Sequence, residues 1–267
     1  MLKDITIGQY VKGNSILHRL DPRTKIFGMI AIMVALFIVN NWVGLLYTAL
    51  VVFAILFLSQ VPLKFYIKGV RPLLIIIIFT MVIQLFMTPG TVIWQWGILH
   101  ITSEGVRRAI FMCARLVLLV MTTSVLTLTT TPIVLTDAVE NLLSPFKRFG
   151  VPAHELAMMM TIALRFIPTL IDETDKIMSA QKARGAAFDE GNVMDRARAL
   201  LPILVPLFLS AINRANELAM AMEARCYHGG EGRTRLHELH YEKPDRLSGI
   251  VLVVILAVAV ATRWVIL

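Results

Sequence analysis

An uninterrupted apolar tract near the amino terminus constrains this chain more than any other feature of its sequence. Residues 26–58 carry no charged side chain, and as a single helix they would be about 50 Å long. The hydrocarbon core of a bilayer is only about 30 Å thick, so the tract must fold back on itself. Asp21-Pro22 can start a first helix, Asn40-Asn41 can form the turn, and Pro62 can end a second helix. The tract therefore predicts two membrane spans, near residues 22–39 and 42–60.

Three more apolar segments predict further spans at residues 72–87, 109–130 and 248–264. The composition agrees, because 57% of the residues are hydrophobic, 16% are charged and the mean hydropathy is +0.73. One soluble core could not hide that much apolar surface. The expected fold is an all-α integral membrane protein with five transmembrane helices.

The excess of basic residues lies beside the predicted spans. Residues 132–246 contain 14 Lys and Arg against 15 Asp and Glu, whereas the remaining residues contain 12 basic and 3 acidic side chains. Basic loops favour the cytoplasmic side of a membrane, so Lys12, Arg19 and Lys25 predict a cytoplasmic amino terminus. Arg107 and Arg108 would then lie outside and are an exception. No basic stripe with interleaved aromatic residues indicates nucleic-acid binding.

Residues 132–247 are expected to form a cytoplasmic platform of two long amphipathic helices lying against the membrane. Apolar residues recur at helical spacing from Pro152 to about Phe188, and a second pattern follows Asn192 and continues to Tyr227. Each helix would be about 50 Å long, with one apolar and one charged half. The predicted domains are a membrane domain at residues 1–131, this coupling domain at 132–247 and a last transmembrane helix at 248–267.

The two long helices end alike. The first closes with Lys-Ala-Arg-Gly-Ala at residues 182–186, and the second closes with Glu-Ala-Arg-Cys-Tyr at residues 223–227. Arginine in the last turn of a helix also stabilises the negative end of the helix dipole, so a purely structural role is the alternative interpretation. An arginine at a rigid helix end can instead present a planar fork of donors to another protein.

These features together resemble a known family. The Leu-Asp-Pro-Arg-Thr-Lys run at residues 20–25, the paired arginine endings and the Gly-Glu-Gly-Arg-Thr-Arg run at residues 230–235 are similar to EcfT. EcfT is the transmembrane coupling subunit of energy-coupling factor importers, which are ABC-type transporters. The resemblance covers essentially the whole chain. It implies a multi-pass scaffold in a prokaryotic cell membrane that joins two ABC-type ATPases to an interchangeable substrate-capture protein for a vitamin or trace metal ion.

The resemblance also implies which residues contact each partner. The expected ATPase-docking residues are Ala183, Arg184, Gly185, Ala224, Arg225 and Cys226, with Cys226 standing where the family usually has glycine. Methionines and other apolar side chains on the long helices offer an adaptable surface for the capture protein, and ordinary helix packing is the alternative interpretation. The expected residues there are Met159, Met160, Leu204 and Leu207.

No catalytic or cofactor site is expected in the chain itself. It contains no Gly-x-x-x-x-Gly-Lys-Ser/Thr loop for ATP, and Cys113 and Cys226 form neither a disulfide framework nor a zinc spacing. The alternative is a permease of an ordinary ABC importer, but only Arg115 is an ionisable residue well inside a predicted span. A metal transporter or membrane enzyme would have to use the histidines at 228, 237 and 240 with Glu238, a surface cluster that is not expected to bind metal.

Overall fold

The computed structural model describes residues 10–96, 99–186, 188, 193–229 and 240–265. Its α-helices, in chain order, are α1 Ile16–Arg19, α2 Pro22–Ile38, α3 Trp42–Ser59, α4 Leu63–Val70, α5 Leu74–Met87, α6 Ser103–Thr129, α7 Pro132–Leu143, α8 Ala153–Ala183, α9 Val193–Ala224 and α10 Lys243–Val265. Short 3₁₀ segments occupy Arg71–Leu73 and Ser144–Phe149. Strands β1 Val92–Trp96 and β2 Leu99–Thr102 form an antiparallel hairpin. The expected all-α membrane fold is confirmed.

The described residues fall into two compact units. One contains residues 10–135 and 240–265, and the other contains residues 136–186, 188 and 193–229. The first unit holds α1 to α6 with α10, and the second holds the long helices α8 and α9. The three predicted domains stay a prediction, since compactness alone does not test where the membrane lies.

The first apolar tract folds back where its sequence indicated. Helix α2 begins at Pro22, with the Asp21 carboxylate accepting the Arg23 N–H. Helix α3 begins after Asn41, whose side-chain oxygen accepts the Gly44 N–H at 2.9 Å. Both caps satisfy backbone donors that the first turn of a helix leaves free. The helix bounds agree with the predicted segments 22–39 and 42–60 to within one residue.

The Leu-Asp-Pro-Arg-Thr-Lys run connects three parts of the membrane unit. The Asp21 N–H donates to an Asp245 carboxylate oxygen at 2.8 Å, which joins the start of α2 to α10. The Lys25 ammonium donates to the Thr129 carbonyl at 3.1 Å and to the Thr130 hydroxyl at 3.2 Å, which joins α2 to the end of α6. Arg23 pairs with Asp21 at 2.9 Å. This motif is therefore a structural junction of the membrane unit.

The remaining membrane helices start earlier than expected. The third span was predicted to start at Pro72, but helical structure begins at Leu63. The fourth was predicted at residues 109–130, but α6 begins at Ser103. The last helix begins at Lys243 rather than after Ser248. Charged residues marked the expected ends of the spans, but a helix continues past a membrane boundary when its polar end reaches the interface. The β1–β2 hairpin was not predicted, although Val92, Ile93 and Trp94 have high β-propensity.

Five described helical segments are long and apolar enough to cross a membrane: Trp42–Ser59, Leu63–Met87, Ser103–Thr129, Ala153–Ala183 and Lys243–Arg263. Four of them contain or match predicted spans. The first predicted span corresponds to α2, which has 17 residues and an axial length of about 25 Å. Helix α8, expected to lie against the membrane, supplies the fifth apolar segment instead.

Arg115 stabilises the turn between α2 and α3. Its guanidinium donates to the carbonyl of Val39 and to the side-chain oxygen of Asn40, and it lies 4.8 Å from the centre of the Phe111 ring. On the other side of the turn, the Asn41 amide donates to the Thr262 carbonyl at 2.6 Å. Backbone groups at membrane depth need such internal partners. The intramembrane arginine is thus used for structure.

Candidate protein-docking site

Helix α8 ends in a backbone turn that holds Arg184 in place. Gly185 follows the helix with a φ angle of +89°. Its N–H donates to the carbonyl of Lys182 at 3.0 Å, and the Ala186 N–H donates to the carbonyl of Gln181 at 3.0 Å. This pair of bonds defines a Schellman motif, for which glycine is favoured because it lacks a Cβ atom. Arg184 occupies the C-cap position of the motif.

Helix α9 ends in the same motif, with cysteine in the place of glycine. Cys226 has a φ angle of +56°, and its N–H donates to the carbonyl of Glu223 at 2.8 Å. The Tyr227 N–H donates to the carbonyl of Met222 at 3.0 Å. Arg225 therefore stands at the C-cap position that corresponds to Arg184. The substitution of cysteine preserves the turn, although a side chain in this left-handed region costs about 1 kcal/mol.

Both arginines are exposed at the helix ends, together with the small residues Ala183 and Ala224 that precede them. Among the side chains that the structure describes, neither guanidinium has an ion-pair or hydrogen-bond partner. An arginine that serves its own helix end can fold back onto the last carbonyls. These two side chains do not, and each exposed guanidinium carries five N–H donors that can bind another molecule.

Helices α8 and α9 pack side by side and run in opposite directions. Near the end of α8, the Gln181 side-chain amide donates to the carbonyl of Pro202, close to the start of α9, at 3.5 Å. At the start of α8, His154 lies 3.5 Å from the Tyr227 hydroxyl just beyond the end of α9. Arg184 and Arg225 therefore lie at opposite ends of the helix pair. The rise of an α-helix separates them by roughly 35 Å along the pair.

A polar contact in the middle of the pair was missed by the sequence analysis. Glu173 of α8 accepts the Ser210 hydroxyl at 2.5 Å with one carboxylate oxygen. Its other oxygen accepts two nitrogens of Arg214, Nη2 at 2.8 Å and Nε at 3.2 Å. Glu173 and Arg214 are 41 positions apart, the same offset that separates Arg184 from Arg225, but every equivalent pair of positions shares this offset, so it could not identify the contact.

The four residues expected to contact the capture protein do not form one patch. Met159, Met160 and Leu204 are 58%, 46% and 55% exposed, and Leu207 is half-buried. The methionines lie near the start of α8, whereas the leucines lie in the first half of α9. Because the helices are antiparallel, these two regions lie toward opposite ends of the pair.

Helix α9 also presents a longer exposed apolar stripe than was predicted. Its large apolar side chains recur every three or four residues, which places them on one helix face. The members that are more than 40% exposed are Leu201, Leu204, Val205, Phe208 and Ile212. Exposed apolar area of this kind marks a contact with protein or lipid.

Comparison with known proteins gives the family. A sequence profile of the cobalt transport protein family, CbiQ, matches residues 13–236. The energy-coupling factor transporter transmembrane protein EcfT of Ruminiclostridium cellulolyticum is 57% identical over 254 residues, 95% of each chain. EcfT of Thermosediminibacter oceani is 55% identical over 265 residues, 99% of this chain and 100% of the relative. EcfT of Acidaminococcus fermentans is 54% identical over 266 residues, 99% of this chain and 98% of the relative.

This chain belongs to the EcfT family. The resemblance found in the sequence is confirmed, and the chain is a multi-pass transmembrane component of energy-coupling factor transporters. The matched region contains both arginine endings and the Leu-Asp-Pro-Arg-Thr-Lys run. The Gly-Glu-Gly-Arg-Thr-Arg run at residues 230–235 lies outside the described residues.

The histidine cluster gains no geometric support. His228 and His240 are exposed, while His237 and Glu238 lie outside the described residues. Within the described ranges, no three His, Cys, Asp or Glu side chains are grouped so that they could hold a metal ion.

Proposed function

We propose that this chain is the coupling subunit of an energy-coupling factor importer, in which it joins two ABC-type ATPases to a substrate-capture membrane protein. The observation that carries the proposal is the matched pair of arginines. Arg184 and Arg225 occupy the same position of the same Schellman motif, both are exposed, and they lie at opposite ends of one helix pair. One scaffold thereby offers two separate contact points, one to each ATPase.

The chemistry of arginine suits such a contact. A guanidinium is planar and permanently charged, and it can donate two parallel hydrogen bonds to a carboxylate or to carbonyls in a groove. The Schellman turn limits where the backbone can move, so less freedom is lost when the side chain binds. We assign Ala183, Gly185, Ala224 and Cys226 to the same contacts, because small residues beside each arginine let a partner approach the helix end.

The long helices carry movement from the ATPases to the membrane. A helix of about 30 residues transmits displacement with little bending, except where a proline removes a backbone hydrogen bond. Pro168 in α8, and Pro202 and Pro206 in α9, are the positions where bending would occur. Energy for transport comes from the partner ATPases, and the cargo, a vitamin or trace metal ion, is bound by the capture protein.

Alanine substitution tests the two contacts. Arg184→Ala or Arg225→Ala should remove an interaction worth about 2 to 5 kcal/mol at an interface, partly because its partner group is left unpaired. Each single variant should keep part of the complex and show reduced uptake, because the other contact remains. The double variant should lose co-purification of the ATPases and uptake together.

Lysine variants and a neighbouring control separate docking from a helix-dipole role. Arg184→Lys and Arg225→Lys keep the charge but lose the planar fork, so they should be impaired if paired hydrogen bonding matters. A dipole role predicts lysine to behave almost like arginine. Lys182→Ala removes an exposed charge two positions before Arg184 and should have little effect. Normal ATPase binding and uptake by the double alanine variant would refute the proposal.

A further inference from the structure

The contact between Glu173 and Arg214 lies at the centre of an internal repeat. These residues are 41 positions apart, as are Arg184 and Arg225, so they are equivalent positions of the two long helices. In an antiparallel pair, moving forward along one helix moves the facing position backward along the other. Two equivalent residues can therefore face each other at only one height along the helix pair. An approximate twofold axis relating the two helices passes through the pair at that height. The 2.8 Å ion pair marks that height.

The axis lies midway between the two docking arginines. Arg184 is 11 residues beyond Glu173, and Arg225 is 11 residues beyond Arg214 in the opposite direction. Each arginine is thus about 16 Å from the axis along its own helix. A rotation or slide of one helix against the other at the axis would displace both docking ends at once.

The chemistry at the axis depends on a break in the repeat. If the repeat were exact, two identical charged residues would face each other here and repel. Because one helix has Glu173 and the other has Arg214, the two side chains attract each other instead. Glu173 binds Arg214 through two nitrogens and Ser210 through its other oxygen, so three hydrogen bonds fix one carboxylate between the helices. The carboxylate and guanidinium side chains are 23% and 38% exposed, respectively. Because both Arg214 nitrogens donate to one carboxylate oxygen while Ser210 donates to the other, the carboxylate is held from two directions.

We infer that Glu173, Ser210 and Arg214 form a positioning contact that sets the register of α8 against α9 and thereby the spacing of the two docking arginines. This inference rests on the proposed coupling function. With the contact intact, a displacement of either helix end reaches the other helix at the axis. Without it, the ends can still bind ATPases, but their movements are no longer linked.

Uptake and complex composition test the first part of this inference. Glu173→Gln in the full complex should lower uptake by about tenfold while both ATPases still co-purify, because the docking arginines are unchanged. Reversing both charges, Glu173→Arg with Arg214→Glu, should restore most of the uptake that either single reversal loses. Asp172→Asn is the matched control, since it neutralises an exposed carboxylate one position away. Equal behaviour of Glu173→Gln and Asp172→Asn, or no recovery in the double reversal, would overturn the inference.

Spin-label distances test the geometry independently of transport. One label pair at Ala180 and Leu200 reports one end of the helix pair, and a second at Ala163 and Met220 reports the other end. All four residues are exposed, and the native cysteines at 113 and 226 would first be replaced. Glu173→Gln should broaden the distance distribution of both pairs. Broadening at one end only indicates local fraying and would refute a central positioning contact, as would no broadening.

These measurements also distinguish failure of the inference from failure of the proposed function. If the arginines do not bind ATPases, the double alanine variant keeps its ATPases, while the distances still respond to Glu173→Gln. If the positioning contact is wrong, the distances do not respond, while the double alanine variant still loses its ATPases.

Discussion

At the scale of single residues, Cys226 takes a conformation that normally belongs to glycine. Its φ angle of +56° lies in the left-handed region, as does the +89° of Gly185 at the equivalent position of α8. The hydrogen bonds of the turn are the same at both sites. The steric strain of a Cβ atom in this region therefore does not abolish the Schellman motif that contains Arg225.

Substitution of Cys226 should reveal that cost. Cys226→Gly should raise the stability of the α9 end by up to about 1 kcal/mol and keep ATPase binding, because glycine adopts this conformation without steric conflict. Cys226→Val should lower both stability and ATPase binding, because a β-branched side chain is strongly disfavoured at positive φ. Thermal unfolding of the purified chain and co-purification of ATPases measure the two effects.

Gly185 offers the reciprocal control. A Cβ atom added there would meet nothing within 4 Å, so Gly185→Ala changes backbone strain without a packing clash. It should destabilise the α8 end by about 1 kcal/mol. Equal stability of Cys226→Gly and Cys226→Val would show that residue 226 does not keep the left-handed conformation in the purified chain.

At the scale of elements, the antiparallel arrangement gives α8 and α9 different surroundings along their lengths. The apolar half of each helix lies beside the charged half of the other, since Gln181 reaches Pro202 and His154 reaches Tyr227. The exposed apolar surface is consequently divided between the two ends of the pair. A partner that binds exposed apolar surface would therefore find such surface at both ends of the pair.

Aspartate substitutions on each helix should locate the capture protein. Met159→Asp and Leu204→Asp each place a carboxylate on exposed apolar surface, at a cost of about 3 kcal/mol if that surface enters lipid or a dry interface. We expect each variant to lose the capture protein while both ATPases stay bound. Quantitative analysis of the subunits that co-purify measures the result.

A polar position on the same helix provides the control for this experiment. Asn213→Asp adds the same charge at an exposed residue of α9 and should leave the complex intact. Loss of the capture protein in only one of the two aspartate variants would restrict the docking surface to that end. Loss of the ATPases before the capture protein would reverse the proposed assignment of the two surfaces.

At the scale of the whole molecule, two membrane arrangements compete. The distribution of basic residues predicts that residues 132–247 are cytoplasmic, and in that arrangement α8 lies along the membrane surface. By length and apolar composition alone, Ala153–Ala183 could instead cross the bilayer. Arg165 favours the first arrangement, because it lies inside the apolar half of α8 and would enter lipid if that half crossed the bilayer.

Cysteine labelling decides between them. The native cysteines would first be replaced, and single cysteines would then be introduced as Glu155→Cys, Ser179→Cys and Val92→Cys. The first two positions lie near opposite ends of α8, and the third lies on β1. All three positions are exposed. An impermeant reagent applied to intact cells should label Val92→Cys only. Labelling of one end of α8 from outside would show that this helix crosses the membrane, and labelling of both ends would invert the proposed topology.

Most of the membrane fold could be predicted from local signals. Long apolar runs indicate membrane spans by their length and composition alone. Helix caps such as Asp21-Pro22 and Asn41 depend on only a few neighbouring residues. The predicted turn between α2 and α3 is therefore confirmed. The start of α6 was not predicted, because its first turns carry Glu104, Arg107 and Arg108, and charged residues keep a segment out of lipid without preventing a helix.

The arginine endings were visible in the sequence because a helix end and its Schellman turn are set by five or six consecutive residues. Their opposite placement, the exposure of both guanidinium groups and the ion pair of Glu173 with Arg214 depend on how two helices pack. Packing direction and register arise from contacts between residues far apart in the chain, and a local pattern contains no record of which side chains will meet. Two equivalent ends could thus be identified from residues alone, whereas their separation by the length of a helix pair became apparent only in the folded chain.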